Sequence, residues 1–307
     1  MAGAGASVPA AGSAASSGNV TAPNDRDGHH YLTPELSTLM FKDKLKDIDV
    51  MLGNYRDALM NRGVPDGDWL ADFILKTKFA MTRQAAYEVD VASGHAADSE
   101  FGANEYAYPD ITALSNGTFY DNLAESFKEH CLRDTNPNWG SREYGWKNNC
   151  QRCVVAYEAM RRGMVVETYP STFGDSHLSH CPWDAWVNPD VKLGGINPSS
   201  SISANMSLWG DGARAQVAFL YNGNPPKDGH TVVAEMENGQ LVFKDPQTGE
   251  SMGPLEMFDD VDLSTVKFWR IDNLEMTDYK KVCFKEDDRW YHTSQDVLQR
   301  LNTLRQR

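Results

Sequence analysis

Three residues in this chain have the types and the order that nucleophilic chemistry needs: Cys150, His230 and Asp245. Cys150 lies in Asn148-Asn149-Cys150-Gln151-Arg152-Cys153, directly ahead of Val154-Val155-Ala156-Tyr157-Glu158-Ala159-Met160, which reads as a helix. A thiol attacks as its thiolate, and its pKa of about 8.5 falls at a helix N-terminus or beside an imidazolium. Asn149 is a good N-cap. Cys150 is therefore expected in the first turn, where N–H groups point outward and the helix dipole favours an anion. Those N–H groups could also stabilise the oxyanion of an acyl intermediate. Cys153, one turn further in and expected to be more buried, is the rival nucleophile.

His230 follows Gly229 and opens an apolar strand, a position from which an imidazole can face a cysteine across a cleft. Asp245 ends a second strand. Between the two strands stands Asn238-Gly239, a two-residue hairpin signal because both positions tolerate positive φ. The strands then run antiparallel, so their outer ends are neighbours, and an Asp there could hold the imidazole ring and fix its tautomer. Gln247, two residues further on, could give a side-chain N–H to an oxyanion or touch substrate.

Plainer readings exist for each part. A lone Cys is usually a small buried hydrophobe. Asp245-Pro246-Gln247-Thr248-Gly249 is also an ordinary turn. Arg161-Arg162-Gly163 needs no function, since basic side chains and a glycine suit a helix C-terminus. Cys150, Cys153, His177, His180 and Cys181 supply enough thiolates and imidazoles for zinc, although a lone C-x2-C is weak and the second cluster falls in an irregular stretch. No metal and no organic cofactor is expected for the thiol reading.

The elements that must position these groups are legible in outline. Leu36, Leu39, Met40, Leu45, Ile48, Met51, Leu52, Tyr55 and Leu59 recur at helical spacing behind Thr33-Pro34, and Gly63-Val64-Pro65-Asp66-Gly67 breaks the pattern. A second helix carries Trp69, Leu70, Phe73, Ile74, Phe79 and Met81 to about Tyr87 and could pair with the first. Residues 91–118 look like a loop-bearing boundary, and a third helix is expected from about Tyr120 to Leu132. Residues 164–205 read as irregular apart from a short strand at Met164-Val165-Val166-Glu167. Beyond them the texture is antiparallel sheet: Ala215 to Tyr221, Thr231 to Met236, Gln240 to Lys244, and Val266 to Ile271. Val297, Leu298, Leu301 and Leu304 mark a closing helix. The expected division is a disordered Ala/Gly/Ser-rich tail over 1–28, a helical region over 29–118, and a hydrolase domain with its C-terminal helix over 119–307.

The bulk numbers bound the function. A net charge of −14 excludes a general nucleic-acid binder, because phosphate neutralisation needs clustered Lys and Arg. No apolar run is long enough to span a membrane. The N-terminus has no basic segment followed by an apolar block, so no signal peptide is expected. An odd count of five cysteines argues against a disulfide framework and for a reducing compartment.

Asn149 to Ala159 with Arg161-Arg162-Gly163 resembles the nucleophile segment of the papain-fold toxins known as glutamine deamidases. Trp209-Gly210-Asp211-Gly212-Ala213-Arg214, Gly229-His230, and Val242 to Gly249 resemble that family's second half, so the resemblance covers roughly residues 135–275. It implies an α+β, papain-like cysteine hydrolase fold with the nucleophile helix packed on an antiparallel sheet. It also implies a Cys–His–Asp triad at Cys150, His230 and Asp245, and a protein substrate. Such domains occur as warheads of secreted bacterial toxins, and very similar blocks occur in phage head and other virion-associated proteins. The resemblance thus leaves two contexts. One is a cytoplasmic or delivered toxin facing an immunity protein, and the other is a partner of phage virion proteins, where the fold could pack without catalysing. Gln-to-Glu deamidation is the reaction expected first, with peptide cleavage as the alternative.

Overall fold

The computed structural model describes residues 32–94, 117–172, 177–223, 228–286 and 288–306. The tail expected over 1–28 and most of the boundary expected over 91–118 lie outside these residues.

Two long helices open the described chain, α1 (Pro34–Met60) and α2 (Asp68–Ala92). The Thr33 hydroxyl accepts from Leu36 N at 3.3 Å and Pro34 occupies the first turn, so α1 starts where the cap signal put it. Phe41, Ile48 and Leu52 bury against Met81, Ala85 and Val89 to make the helical pair. α2 continues one turn past Tyr87, because Val89 is part of that seam and no breaker intervenes before Ser93. A third helix, α3 (Gly117–Arg133), lays Ala124, Phe127 and Cys131 on the helix that carries Cys150.

That helix, α4 (Cys150–Arg161), is buried at every residue except Gln151. A helix covered all round belongs to the centre of a fold. Val154, Val155 and Tyr157 each contribute about 1.5–3 kcal/mol by leaving water. Its polar residues are paired instead. Glu158, with no exposure, meets Arg162 Nε at 2.8 Å and Arg214 at 2.6 and 2.9 Å. Arg161 Nη1 meets Glu235 Oε2 at 2.6 Å, and the Tyr157 hydroxyl donates to the same oxygen at 2.9 Å. The basic helix end, read from sequence as needing only the helix dipole, is therefore also half of two buried ion-pair networks with the sheet.

The sheet has six antiparallel strands in the order β2-β7-β3-β4-β5-β6, with β2 at Lys192–Leu193, β3 at Arg214–Leu220, β4 at Gly229–Glu237, β5 at Gln240–Asp245, β6 at Glu250–Met252 and β7 at Lys267–Arg270. Asn238 and Gly239 both have positive φ, 51° and 75°, as a tight hairpin between β4 and β5 requires. One sheet face carries Val233 and Trp269 against α4. The other carries Val217, Val232 and Phe268 against Ile202 and Met206 of α6 (Pro198–Trp209).

α6 corrects the irregular reading of 164–205. Its serine-rich sequence has weak helix propensity, and only Ile202 and Met206 mark a buried face. Asn197 starts it by accepting from Ser200 N at 3.2 Å, with Pro198 in the first turn. The expected short strand is present as β1 (Val166–Thr168), paired with β8 (Phe284–Glu286) beside α7 (Lys280–Cys283). The last helix, α8 (Asp288–Arg305), returns to α2 and buries Val297 and Leu301 against Phe79.

Candidate active site

The hairpin register brings His230 and Asp245 together. Val233 pairs with Lys244, so Val232 stands opposite Asp245, and His230 lies two residues outward on β4, at the end of the sheet. His230 Nε2 lies 2.9 Å from Asp245 Oδ2. Cys150, at the first position of α4, is the other group that couples electrostatically to the His230 ring. Burial alone would lower the pKa of this imidazole. The hydrogen bonds and charges of Asp245 and Cys150 reverse that and push it up to about 10. The site thus favours an imidazolium beside sulfur.

Asp245 is held in turn by the loop it begins. Its Oδ1 accepts from Gln247 N at 2.9 Å and Thr248 N at 3.4 Å, and Gly249 N donates to Asp245 O at 2.8 Å. The ordinary-turn reading of Asp245-Pro246-Gln247-Thr248-Gly249 and the functional one describe a single device, because the turn aims the carboxylate at the ring. Two aromatic side chains set the ring plane. Tyr221 stacks on His230 with centroids 6.1 Å apart, and Phe219 meets it edge-on at 5.8 Å. Burial and the nearby Asp245 and Cys150 charges raise the Tyr221 pKa.

Gln247 reaches the N-terminus of α4. Its carboxamide lies 3.1 Å from the Asn149 carboxamide, and with its oxygen turned to the helix it accepts from Asn149 N and Cys150 N at 3.0 and 3.1 Å. Asn149, expected as the side-chain cap, makes no such bond. Its backbone is too far from a capping conformation, at φ −108° and ψ 23°, and its side chain instead donates to Tyr169 O at 3.3 Å. The capping oxygen comes from Gln247, 98 residues away in sequence. Asn136, which follows α3 and precedes Pro137, completes the support. Its Nδ2 donates to Gln247 O and to Trp146 O, both at 3.0 Å. An Asn-Pro pair after a helix looks like a plain terminator, so no local signal could have marked it.

Cys153 is fully buried. Burial, with Cys150 and Asp245 nearby, pushes its thiol well above the ordinary value. Burial also raises Cys131 and Cys283 to about 12. All five cysteines are free thiols. The zinc alternative finds no centre, since no group of three or more possible ligands is gathered among the described residues. His177 Nε2 pairs instead with Asp184 at 2.7 Å. Among the described residues no helix is long and apolar enough to cross a membrane.

A cleft of about 420 Å³ opens beside His230, between Gln151 of α4 and the Ser179–Trp183 segment. A cleft that reaches His230 and Gln151, the chain neighbour of Cys150, can admit an amide to a thiol–imidazole site suited to acyl transfer. Searches of the curated proteins and of the solved structures find no significant match. Residues 148–250, which hold α4, the sheet hairpin and all four site residues, match the family model of papain fold toxin 1, glutamine deamidase, and they carry that family's papain-like fold.

Proposed function

We propose that this protein hydrolyses protein amides through Cys150, His230 and Asp245, and that its reaction is the deamidation of glutamine side chains. The observation that carries this reading is the buried imidazole that Asp245 bonds and that couples to Cys150 at the start of α4. Cys150 Sγ, as thiolate, adds to the carboxamide carbon, and the carbonyl electron pair moves onto oxygen. The His230 imidazolium protonates the leaving nitrogen, ammonia departs, and a thioester remains. Water, losing its proton to His230, then attacks the thioester and releases glutamate and the thiolate. Asp245 holds the ring and offsets its charge. The first-turn N–H groups of α4 would meet the oxyanion once the Gln247 carboxamide yields them. That a carboxamide oxygen already fits there supports an amide substrate.

Wild type, Cys150→Ala and Cys153→Ala proteins, incubated with a glutamine-containing peptide library, test the reading by ammonia release and mass spectrometry. Wild type and Cys153→Ala should add about one dalton per modified glutamine without shortening the peptides, and Cys150→Ala should lose at least ~10³-fold in rate while keeping its fold. Full activity in Cys150→Ala would remove the assignment. Shortened peptides would instead identify a protease using the same acyl chemistry.

A further inference from the structure

The floor of the cleft is a row of side chains across three strands. Register places Lys267 of β7 beside Ala218 of β3, and Ala218 beside Thr231 of β4, so all three share one face. His230 follows at the rim. Lys267 is not loose on this floor, because its Nζ stands 4.7 Å over the ring of Trp183, which forms the facing wall. The wall is anchored to the floor. Trp186 Nε1 donates to Gln216 Oε1 at 2.8 Å, and Gln216 Nε2 donates to Thr231 Oγ1 at 3.0 Å.

The charge pattern is selective. The chain as a whole is acidic, at −14, yet the described residues lining this cleft include Lys267, His180 and His230 and no Asp or Glu. A carboxylate entering here meets an oriented ammonium and no acidic side chain of the lining, whereas a basic side chain meets like charge.

We infer that Lys267, held over Trp183, is a specificity-determining residue that selects substrates with an acidic side chain flanking the amide to be attacked. This rests on the amide-hydrolase reading above. Trp183 contributes by fixing the ammonium and by covering the aliphatic part of the substrate segment. A charge pair of this kind, partly screened, changes kcat/KM by roughly tenfold.

Two measurements keep this inference separate from the reaction itself. The first is binding to the inactive Cys150→Ala protein, by fluorescence anisotropy, of labelled glutamine peptides in which Glu, Gln or Lys is stepped along both flanks. The expected result is tightest binding for Glu at one flanking position and weakest for Lys there, with the order weakened in Cys150→Ala/Lys267→Gln and inverted in Cys150→Ala/Lys267→Glu. The second is ammonia release from the same peptides by the Lys267→Glu protein with Cys150 intact. It should turn over the Lys-flanked peptide about tenfold better relative to the Glu-flanked one than wild type does. Equal binding of all peptides, or an acid preference untouched by Lys267→Glu, overturns the inference even if deamidation is observed. Acid-selective binding that responds to Lys267, without ammonia from any peptide, upholds the subsite and removes the deamidase reading instead.

Discussion

At the scale of single residues, the candidate site makes one histidine unusually basic. A solvent-exposed imidazole loses its proton near pH 6.5, whereas Asp245, bonded to the ring, and the neighbouring Cys150 raise His230 to about 10. The folded pKa is raised, so its contribution to stability is complete below about 6.5 and is lost as pH rises from there through about 10. In an NMR titration, His230 should remain protonated at a pH where ordinary histidines are neutral. Cys150→Ala should move its midpoint downward by removing one of the two partners. A midpoint near 6.5 in the wild type would contradict this raised basicity of His230. Gln247 illustrates a second residue-scale effect. Its carboxamide leaves no buried N–H of Asn149 or Cys150 unmet, which otherwise would cost about 1–3 kcal/mol per group.

At the scale of elements, α4 must be held rigidly if its first residue is to act as the proposed nucleophile. Apolar burial fixes its position on the sheet, while its ion pairs fix its rotation. Burial alone would raise the pKa of Glu235, but Arg161 and Arg214 outweigh it and keep the carboxyl ionised. Glu235→Ala therefore leaves Arg161, 6% exposed, without its carboxylate, and should cost about 3–5 kcal/mol in urea unfolding. The double variant Arg161→Met/Glu235→Leu should cost less than the two single losses combined, because no uncompensated charge remains. Strict additivity would show that the pair is not coupled. Gly163 adds a close backbone contact at the other end of α4. Its carbonyl accepts from Trp69 N at 3.0 Å, and a Cβ on Gly67 would come within 2.7 Å of that same oxygen. Only glycine at 67 lets the start of α2 approach the end of α4 so closely.

For the molecule as a whole, the helical pair α1–α2 shares a core with the papain-like unit through Leu59 and Leu70, and the two are joined at two further places. One is the Gly67–Gly163 contact, and the other is α8, which returns from the far side of the chain to α2. Leu301, 1% exposed in that second contact, is the test. Leu301→Ala should cost about 2–5 kcal/mol and speed amide hydrogen exchange in α2 and α8. Exchange in α4 should stay slow, since its core is built from other residues. Unchanged exchange in α2 would mean that α8 does not secure the helical pair.

The sequence by itself determined the features whose causes are local. Thr33-Pro34 starts α1, Asn238-Gly239 makes the hairpin, and apolar spacing marks the long helices, because capping, positive φ and periodicity act over a few residues. The papain-like α+β fold was legible as well, through three separated blocks resembling one family. What the tertiary structure decided came from contacts between residues far apart in the chain. It supplied the α4 cap from Gln247 rather than Asn149, gave Asn136 its supporting role, and turned Arg161 and Arg162 into buried ion pairs. It also found α6 in a serine-rich stretch whose helix depends on packing more than propensity. The cleft floor is the clearest case. Lys267, Ala218 and Thr231 form a row only once β7, β3 and β4 lie side by side, and no signal along the chain links residues that meet solely through sheet register.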